Sequence, residues 1–369
     1  MSLVEAIQVA IASGPAILGA PLEKPVKLAT GLVYGYMKGV TKIVGAGVDL
    51  ALEQLGPLLG SSAPGYEREL VLAALNGVLG DYLEAQKNPL AIQMTLRRDG
   101  APMSLVGATP KILVLVHGSC ATDLMWTWKG HDHGAALARD LGYTPLYLQY
   151  NSGLHISTNG RKLAALIEET AATWPVPIEE IVLLGHSMGG LVSRSALHVA
   201  NELGHSWRKQ LRSVICLGSP HHGAPLERGG NWIDLLLGIS RYSAPLGQLA
   251  RIRSAGITDL RFGNVIDEHW EGRDRFDFAQ DDRRPAPLPT DARCHAIAGT
   301  LSISATDAPQ WDGMVPVNSA LGIHATEPLT LAFPAEHRWT ALGTGHLDLL
   351  GSAEVYAKLV SWLRPETAS

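Results

Sequence analysis

The sequence predicts an α/β protein with a mostly parallel, twisted sheet flanked by helices, and three observations lead to this prediction. Short apolar runs alternate with helical patterns between residues 90 and 222, and the alternation resumes at residue 292. The run KILVLV at 111–116 is continuously apolar, which is typical of a strand buried on both faces. The segment IVLLGHSMGGL at 181–191 reads as a buried strand, a sharp turn and the start of a helix.

The apolar periodicity predicts each element in turn. We expect strands at residues 90–96, 103–106, 111–116, 145–149, 181–184, 213–218, 292–298 and 338–342. We expect helices at residues 134–141, 161–174, 188–203 and 352–363.

Two regions fall outside this alternation. Residues 1–88 are predicted to form an N-terminal helical block, with an amphipathic helix at 66–86 and a boundary at Asn88-Pro89. Within the predicted α/β domain at 89–369, strand periodicity stops between residues 223 and 291. This stretch is too long for a simple loop and predicts an inserted cap.

The glycines of GLVYGYMKG at 31–39 recur every four residues, a spacing that lets two helices approach closely. This spacing fits a membrane helix pair or tight packing in a soluble block. We favour the soluble block because lysines such as Lys27 and Lys38 interrupt the stretch, so a membrane span is not expected.

Composition excludes several classes of function. The net charge is −5 and no basic patch occurs, so nucleic acid is not an expected partner. The three cysteines are far apart and odd in number, which predicts free thiols rather than a disulfide framework or a metal knuckle. No positive charge precedes the apolar N-terminal run, and we therefore expect a cytoplasmic protein without an export signal.

The G-x-S-x-G match at 185–189 carries the predicted chemistry. Ser187 lies on the turn between strand and helix, where it is expected to act as a nucleophile. Gly185 and Gly189 are expected because a Cβ at either position would collide with the neighbouring strand or helix. The Met188 N–H at the helix start and the Ser119 N–H after the 111–116 strand are the predicted oxyanion donors, with Cys120 next in line.

A serine nucleophile needs a base and an acid, which follow in the order Ser, Asp or Glu, His in this strand–turn–helix arrangement. Asp312 is the predicted acid because Asp-Gly begins a tight turn that would fix its carboxylate, and Asp307 in the same loop is the alternative. His346 is the predicted base, since it lies in a Gly-flanked loop between the last strand and the last helix.

Two histidine pairs invite a metal interpretation. His221-His222 and His131-Asp132-His133 contain ligand-type residues, but nothing else in the sequence supplies a supporting ligand spacing. We therefore predict hydrogen-bonded or solvated loop residues and no metal.

Five motifs together resemble bacterial lipases and esterases of the α/β-hydrolase superfamily. They are VHGS at 116–119, GHSMG at 185–189, GSPHHG at 218–223, DGMVP at 312–316 and GHLDLL at 345–350. The resemblance covers about residues 90–222 and 292–369. It implies a triad of Ser187, Asp312 and His346, and a lid formed by the insert. The long N-terminal block departs from the minimal family pattern.

These observations predict a carboxylesterase or lipase that needs no cofactor. Apolar residues of the insert, including Trp232, Leu235 and Leu236, are the expected substrate contacts. The expected substrates are small, neutral, hydrophobic esters of short to medium acyl chains, including aliphatic polyesters. Two alternatives stay open: an acyltransferase with the same triad, and a non-catalytic lipid-binding protein with the same fold. The sequence leaves the oligomeric state undetermined.

Overall fold

The computed structural model describes residues 66–98, 100–224, 253–274, 281–304 and 310–364. Eight strands form one sheet, and they are numbered here in chain order. They are β1 (Thr95–Arg98), β2 (Ala101–Pro102), β3 (Lys111–Val116), β4 (Thr144–Gln149), β5 (Glu180–His186), β6 (Leu211–Leu217), β7 (Arg293–Gly299) and β8 (Arg338–Ala341).

The order of strands across the sheet is β8-β7-β6-β5-β3-β4-β1-β2. All neighbours from β4 to β8 pair in parallel, while β1 pairs antiparallel with both β4 and β2. A mostly parallel eight-stranded sheet with a strand–turn–helix at its centre is the α/β-hydrolase fold, so the predicted fold class is confirmed.

Seven helices are described along these strands. They are α1 (Tyr66–Ala85), α2 (His133–Leu141), α3 (Ile156–Ala172), α4 (Met188–Leu203), α5 (Ala255–Asp259), α6 (Val317–Ala320) and α7 (Ala353–Leu363).

The strand β3 shows how the core divides between the two faces of the sheet. Ile112 and Val114 pack in one apolar cluster, and Leu113 and Leu115 pack in the other. Burial on both faces explains why this strand is apolar from Ile112 to Val116.

The helix α1 packs into the same core cluster as the sheet. Val71, Leu75, Val78 and Leu83 are buried there, together with residues of β3 and β4. The sequence predicted an amphipathic helix at 66–86, but every residue from 71 to 80 is buried, so this part of the helix has no exposed face. Residues 1–65 and 225–252 lie outside the described residues, so the division into an N-terminal block, a hydrolase domain and a cap stays a prediction.

Two predicted strands are displaced. Residues 90–94 are not in a strand, because side chains bind their main chain: Asn76 Nδ2 donates to Leu90 O at 2.8 Å, and Ile92 N–H donates to Asn76 Oδ1 at 2.9 Å. The strand begins only at Thr95. Residues 103–106 are also outside any strand, and Val106 is 84% exposed.

The helix α3 begins five residues before the predicted position 161. Its first N–H group, that of Ile156, donates to Asp259 Oδ2 at 2.9 Å. A carboxylate at a helix start satisfies a free N–H and interacts favourably with the helix dipole. Asp259 is 103 residues away along the chain, so the local pattern does not reveal this cap.

Among the residues that the structure describes, no helix is both long enough and apolar enough to span a membrane.

A buried histidine of β7 makes stability sensitive to acid. The His295 ring lies 4.1 Å from the His337 ring and 4.4 Å from the Trp362 ring, measured between centroids. Burial, and secondarily the nearby His337, lowers the pKa of His295 to about 3. The folded protein therefore keeps His295 neutral while the unfolded chain binds a proton below about pH 6.5.

We accordingly expect the free energy of unfolding to fall as the pH falls from about 6.5, with His295 contributing roughly 3 kcal/mol of this loss by pH 4. His295→Phe keeps an aromatic ring without a titrating group, so it should reduce the loss. Urea unfolding of both proteins at pH 7 and pH 4.5 measures the difference. An equal loss of stability in the two proteins would contradict the assignment to His295.

Candidate active site

The turn between β5 and α4 holds Ser187 in a strained conformation. Its backbone has φ 55° and ψ −124°, in the region that residues with a side chain rarely adopt. The Ser187 N–H donates to Leu217 O of the neighbouring strand at 2.8 Å, which anchors the turn to the sheet. Such strain concentrates at functional sites, where the surrounding structure holds it in place.

The glycines on either side of Ser187 are required by backbone contacts. A Cβ added to Gly185 would lie 2.4 Å from Gly190 N, and one added to Gly189 would lie 2.0 Å from Val116 O. Both distances are far below van der Waals contact. The glycines therefore let α4 pack directly on β3 and β5, as the sequence predicted.

A short hydrogen bond joins the predicted acid and base. His346 Nδ1 lies 2.7 Å from Asp312 Oδ2, and both side chains are almost completely buried. A carboxylate can only accept, so Nδ1 carries a proton, and in the neutral imidazole Nε2 is then the acceptor. This is the tautomer that a general base needs.

The turn at Asp312-Gly313 fixes the other carboxylate oxygen. Asp312 Oδ1 accepts from Met314 N–H at 2.9 Å and from Val315 N–H at 2.7 Å. Both oxygens are therefore bound in one orientation, which supports the prediction of Asp312. Asp307, the alternative acid, lies outside the described residues.

Gly218, directly after β6, makes room for the acid–base pair. It has φ 56°, and a Cβ there would lie 3.1 Å from His346 Nδ1 and 3.2 Å from Asp312 Oδ2. A larger residue at this position would push the two side chains apart.

Ser187 and His346 line the same cleft. Ser187 Oγ and His346 Nε2 are both buried, and neither has a hydrogen-bond partner among the described residues. No bond between the two atoms is therefore formed in this structure. Catalytic hydrogen bonds are often long without substrate and shorten when it binds.

The two predicted oxyanion donors lie beside the serine. Met188 is the first residue of α4, where N–H groups lack helical acceptors, and Ser119 lines the cleft. A Cβ on Gly118 would lie 3.0 Å from Ser187 Cβ, so the loop that carries Ser119 contacts Ser187. The Cys120 N–H donates instead to Ser152 Oγ at 3.0 Å. Of the two residues of this loop, Ser119 is thus the better candidate.

Two further histidines of the cleft are held neutral. Burial lowers the pKa of His117 to about 4 and that of His186 well below its usual value. His186 Nε2 lies 3.0 Å from His346 O, and because a carbonyl only accepts, His186 donates this bond. It ties the nucleophile turn to the loop of the base, a role that the sequence did not indicate.

The His131-Asp132-His133 segment is used by hydrogen bonds within the fold. His131 Nε2 lies 2.9 Å from His133 Nδ1, and His133 Nε2 donates to Leu349 O at 2.9 Å. Asp132 caps α2 through Ala135 N–H. His221 is buried, with Nδ1 3.2 Å from Arg194 Nη1. In the described part of the chain, no cluster of three or more potential ligands is arranged to hold a metal.

The apolar lining of the cleft comes from three separate parts of the chain. These residues are Leu70, Ala121, Met125, Trp126, Leu347 and Leu350. Trp232, Leu235 and Leu236, the predicted substrate contacts, lie outside the described residues, so their role stays a prediction. Residues 121–126 directly follow the loop at 117–120, called here the oxyanion loop, and residues 347–350 directly follow His346. Their place in the chain could therefore have indicated that they line the cleft, but nothing in the sequence indicated Leu70.

Comparisons with known proteins find one family and two curated relatives that resemble part of this chain. Residues 150–280 match the model of the PGAP1-like alpha/beta domain family, a span that includes Ser187 but neither Asp312 nor His346. The chain is 36% identical over 66 residues to the GPI inositol-deacylase of Debaryomyces hansenii, and 35% identical over 68 residues to that of Kluyveromyces lactis. Each match covers 18% of this chain and only 6% of the relative.

Solved structures with a similar chain path include hydrolases. The mature lipase BlEst2 of Bacillus licheniformis is 19% identical with a TM-score of 0.43, and the match covers 73% of this chain and 96% of that one. The Pyrococcus furiosus esterase PF2001 is 14% identical with a TM-score of 0.41, covering 70% and 82%. The chain has the α/β-hydrolase fold, as its strand order shows.

Proposed function

We propose that the protein hydrolyses carboxylic esters of neutral, hydrophobic substrates through an acyl-enzyme on Ser187. The observation that carries this proposal is the 2.7 Å bond between His346 Nδ1 and Asp312 Oδ2 in the cleft that Ser187 lines. In the neutral imidazole this bond makes Nε2 the proton acceptor, as a base for the serine proton must be.

In the acylation step, Ser187 Oγ attacks the ester carbonyl carbon while His346 Nε2 takes the hydroxyl proton. The carbonyl oxygen becomes an oxyanion, which the Met188 and Ser119 N–H groups bind. The C–O bond to the alcohol then breaks, and His346 gives its proton to the leaving alkoxide oxygen. Asp312 stabilises the imidazolium that exists between these two transfers.

In the deacylation step, water takes the place of the alcohol. His346 Nε2 removes a proton from the water, whose oxygen attacks the acyl carbon. Collapse of the second tetrahedral intermediate returns the proton to Ser187 Oγ and releases the carboxylic acid. The residues named here complete this cycle without a cofactor.

The lining of the cleft supports the proposed substrate class. Among the described residues that line it there is no lysine or arginine, so this part of the wall offers no cation to bind a charged acyl group. Apolar side chains favour burial of acyl CH₂ groups. The curated relatives carry the name deacylase, which denotes removal of an acyl group and is compatible with this chemistry.

Labelling with an alkyl fluorophosphonate tests the proposal. We expect one equivalent to attach to Ser187, as located by peptide mass spectrometry, with loss of activity on p-nitrophenyl esters. Product analysis without added alcohol should yield free acid. An acyltransferase would instead require an acceptor alcohol, and failure to label Ser187 would favour a non-catalytic protein.

A further inference from the structure

The helix α1 forms part of the candidate active site. We infer that Leu70 on this helix is a specificity-determining residue that packs against the acyl chain of the substrate, an inference that rests on the proposed function. Leu70 is half-buried and lines the cleft together with Ser187 and His346. It lies more than 100 positions before Ser187 in the sequence, so only the folded chain brings them together.

Backbone contacts fix the position of α1 against the oxyanion loop. A Cβ on Gly77 would lie 2.3 Å from Cys120 Sγ and 2.8 Å from Cys120 Cα. A Cβ on Gly153 would lie 2.2 Å from Asn76 O. The two small residues bring the helix into direct contact with the loops that follow β3 and β4.

Hydrogen bonds lock the same interface. Asn151 Nδ2 donates to Gly80 O at 2.9 Å, and Ser254 Oγ donates to Gly77 O at 2.6 Å. Because these bonds are buried, breaking them would leave unpaired polar groups away from water. The helix is therefore a fixed part of the cleft.

A polar network next to Leu70 joins α1 to another part of the cleft wall. Glu69 accepts from Gln149 Nε2 at 2.7 Å and pairs with Arg97 Nη1 at 3.4 Å. The same Arg97 nitrogen lies 3.2 Å from Asp123 Oδ1. Asp123 begins the 3₁₀ turn that carries Met125 and Trp126 into the cleft. One arginine thus holds two apolar parts of the lining together.

The apolar lining indicates what Leu70 contacts. Six side chains of the lining, Leu70 among them, are apolar or aromatic, and neither Glu69 nor Arg97 is among the lining residues. A chain of CH₂ groups entering the cleft would be transferred from water to this surface, with a gain per group. Leu70 supplies part of that surface.

The test compares acyl chain lengths rather than total activity. The wild-type protein is expected to show a higher kcat/KM for p-nitrophenyl hexanoate than for the acetate. Leu70→Ala should lower this ratio about fivefold, since contacts worth one or two CH₂ groups are lost. Leu70→Met, which conserves size and polarity, should retain most of the ratio.

Leu166→Ala is the matched control. Leu166 is also a half-buried helical leucine packed on the core, but it does not line the cleft. This variant should leave the ratio unchanged even if it lowers stability. Circular dichroism and thermal unfolding of each variant will verify that it is folded.

The rate of labelling by a hexyl phosphonate relative to a methyl phosphonate should change in the same way as the kcat/KM ratio. Labelling is a second measurement because it requires only the reaction of Ser187. If the wild-type protein is not labelled at all, the proposed function fails and the inference fails with it. If labelling occurs but Leu70→Ala leaves the ratio unchanged, only the inference is overturned. A change confined to the alcohol part of the ester would also overturn the assignment to the acyl chain.

Discussion

Replacing Ser187 with Ala is expected to lower kcat for ester hydrolysis by about six orders of magnitude. In the proposed mechanism the acyl group is transferred to this hydroxyl, and the thiol among the described cleft residues is not activated. Cys120 also lines the cleft, but burial raises the pKa of its thiol to about 12, so it is protonated at neutral pH.

The substitution should leave the fold intact. Ala removes only the Oγ atom, and the Ser187 N–H bond to Leu217 O belongs to the backbone. The matched control is Ser195→Ala, which removes a buried hydroxyl from α4 outside the cleft. We expect this control to retain activity. Both variants are measured by initial rates on p-nitrophenyl esters and by phosphonate labelling. If a folded Ser187→Ala protein kept a few per cent of the activity, another residue would be the nucleophile.

Asp312→Asn is expected to lower kcat by about four orders of magnitude. Asn can keep its oxygen toward the Met314 and Val315 N–H groups, which now bind Asp312 Oδ1. Its NH₂ group would then face His346 Nδ1 and donate to it. The imidazole would be forced to carry its proton on Nε2, where it cannot accept the Ser187 proton.

The companion variant is Asp307→Asn, the change in the alternative acid of the same loop. It should reduce kcat far less, because Asp312 already makes the 2.7 Å bond to His346. The two variants are compared side by side at saturating substrate. A larger loss in Asp307→Asn would transfer the role of the acid to Asp307.

The sequence predicted the fold well where local patterns and buried strands agree. The run at 111–116 has to be apolar because its alternate side chains enter two different core clusters. The turn around Ser187 was equally clear, since Gly185 and Gly189 are positions where any Cβ meets backbone within 2.4 Å. Such requirements fall on consecutive positions of one segment, so they leave a readable local pattern.

The Asp312–His346 pair was also predictable, for a different reason. The two residues are distant in sequence, but the order of strands brings the ends of β7 and β8 to the same edge of the sheet. Chain order within the fold was therefore enough to select His346. The Asp-Gly turn favoured Asp312 through its own local geometry.

Elsewhere, residues far apart in the chain decided the outcome. Residues 90–92 would suit a strand by composition, but Asn76 takes their main-chain hydrogen bonds. Asp259 accepts from the Ile156 N–H, and α3 begins at that residue. Ser152 Oγ accepts from the Cys120 N–H, which was a possible oxyanion donor. No repeating pattern in the sequence indicates which groups these bonds join.

The sequence by itself determined the fold class, the nucleophile turn and the expected order of the three catalytic residues, because each follows from local sterics or from chain order in a parallel sheet. Only the tertiary structure decided what surrounds them. Leu70 reaches the cleft because α1 packs at backbone distance on the oxyanion loop, through Gly77 and Cys120. Packing of this kind depends on the shapes of both surfaces, and the sequence of one segment does not reveal the shape of the surface that it meets.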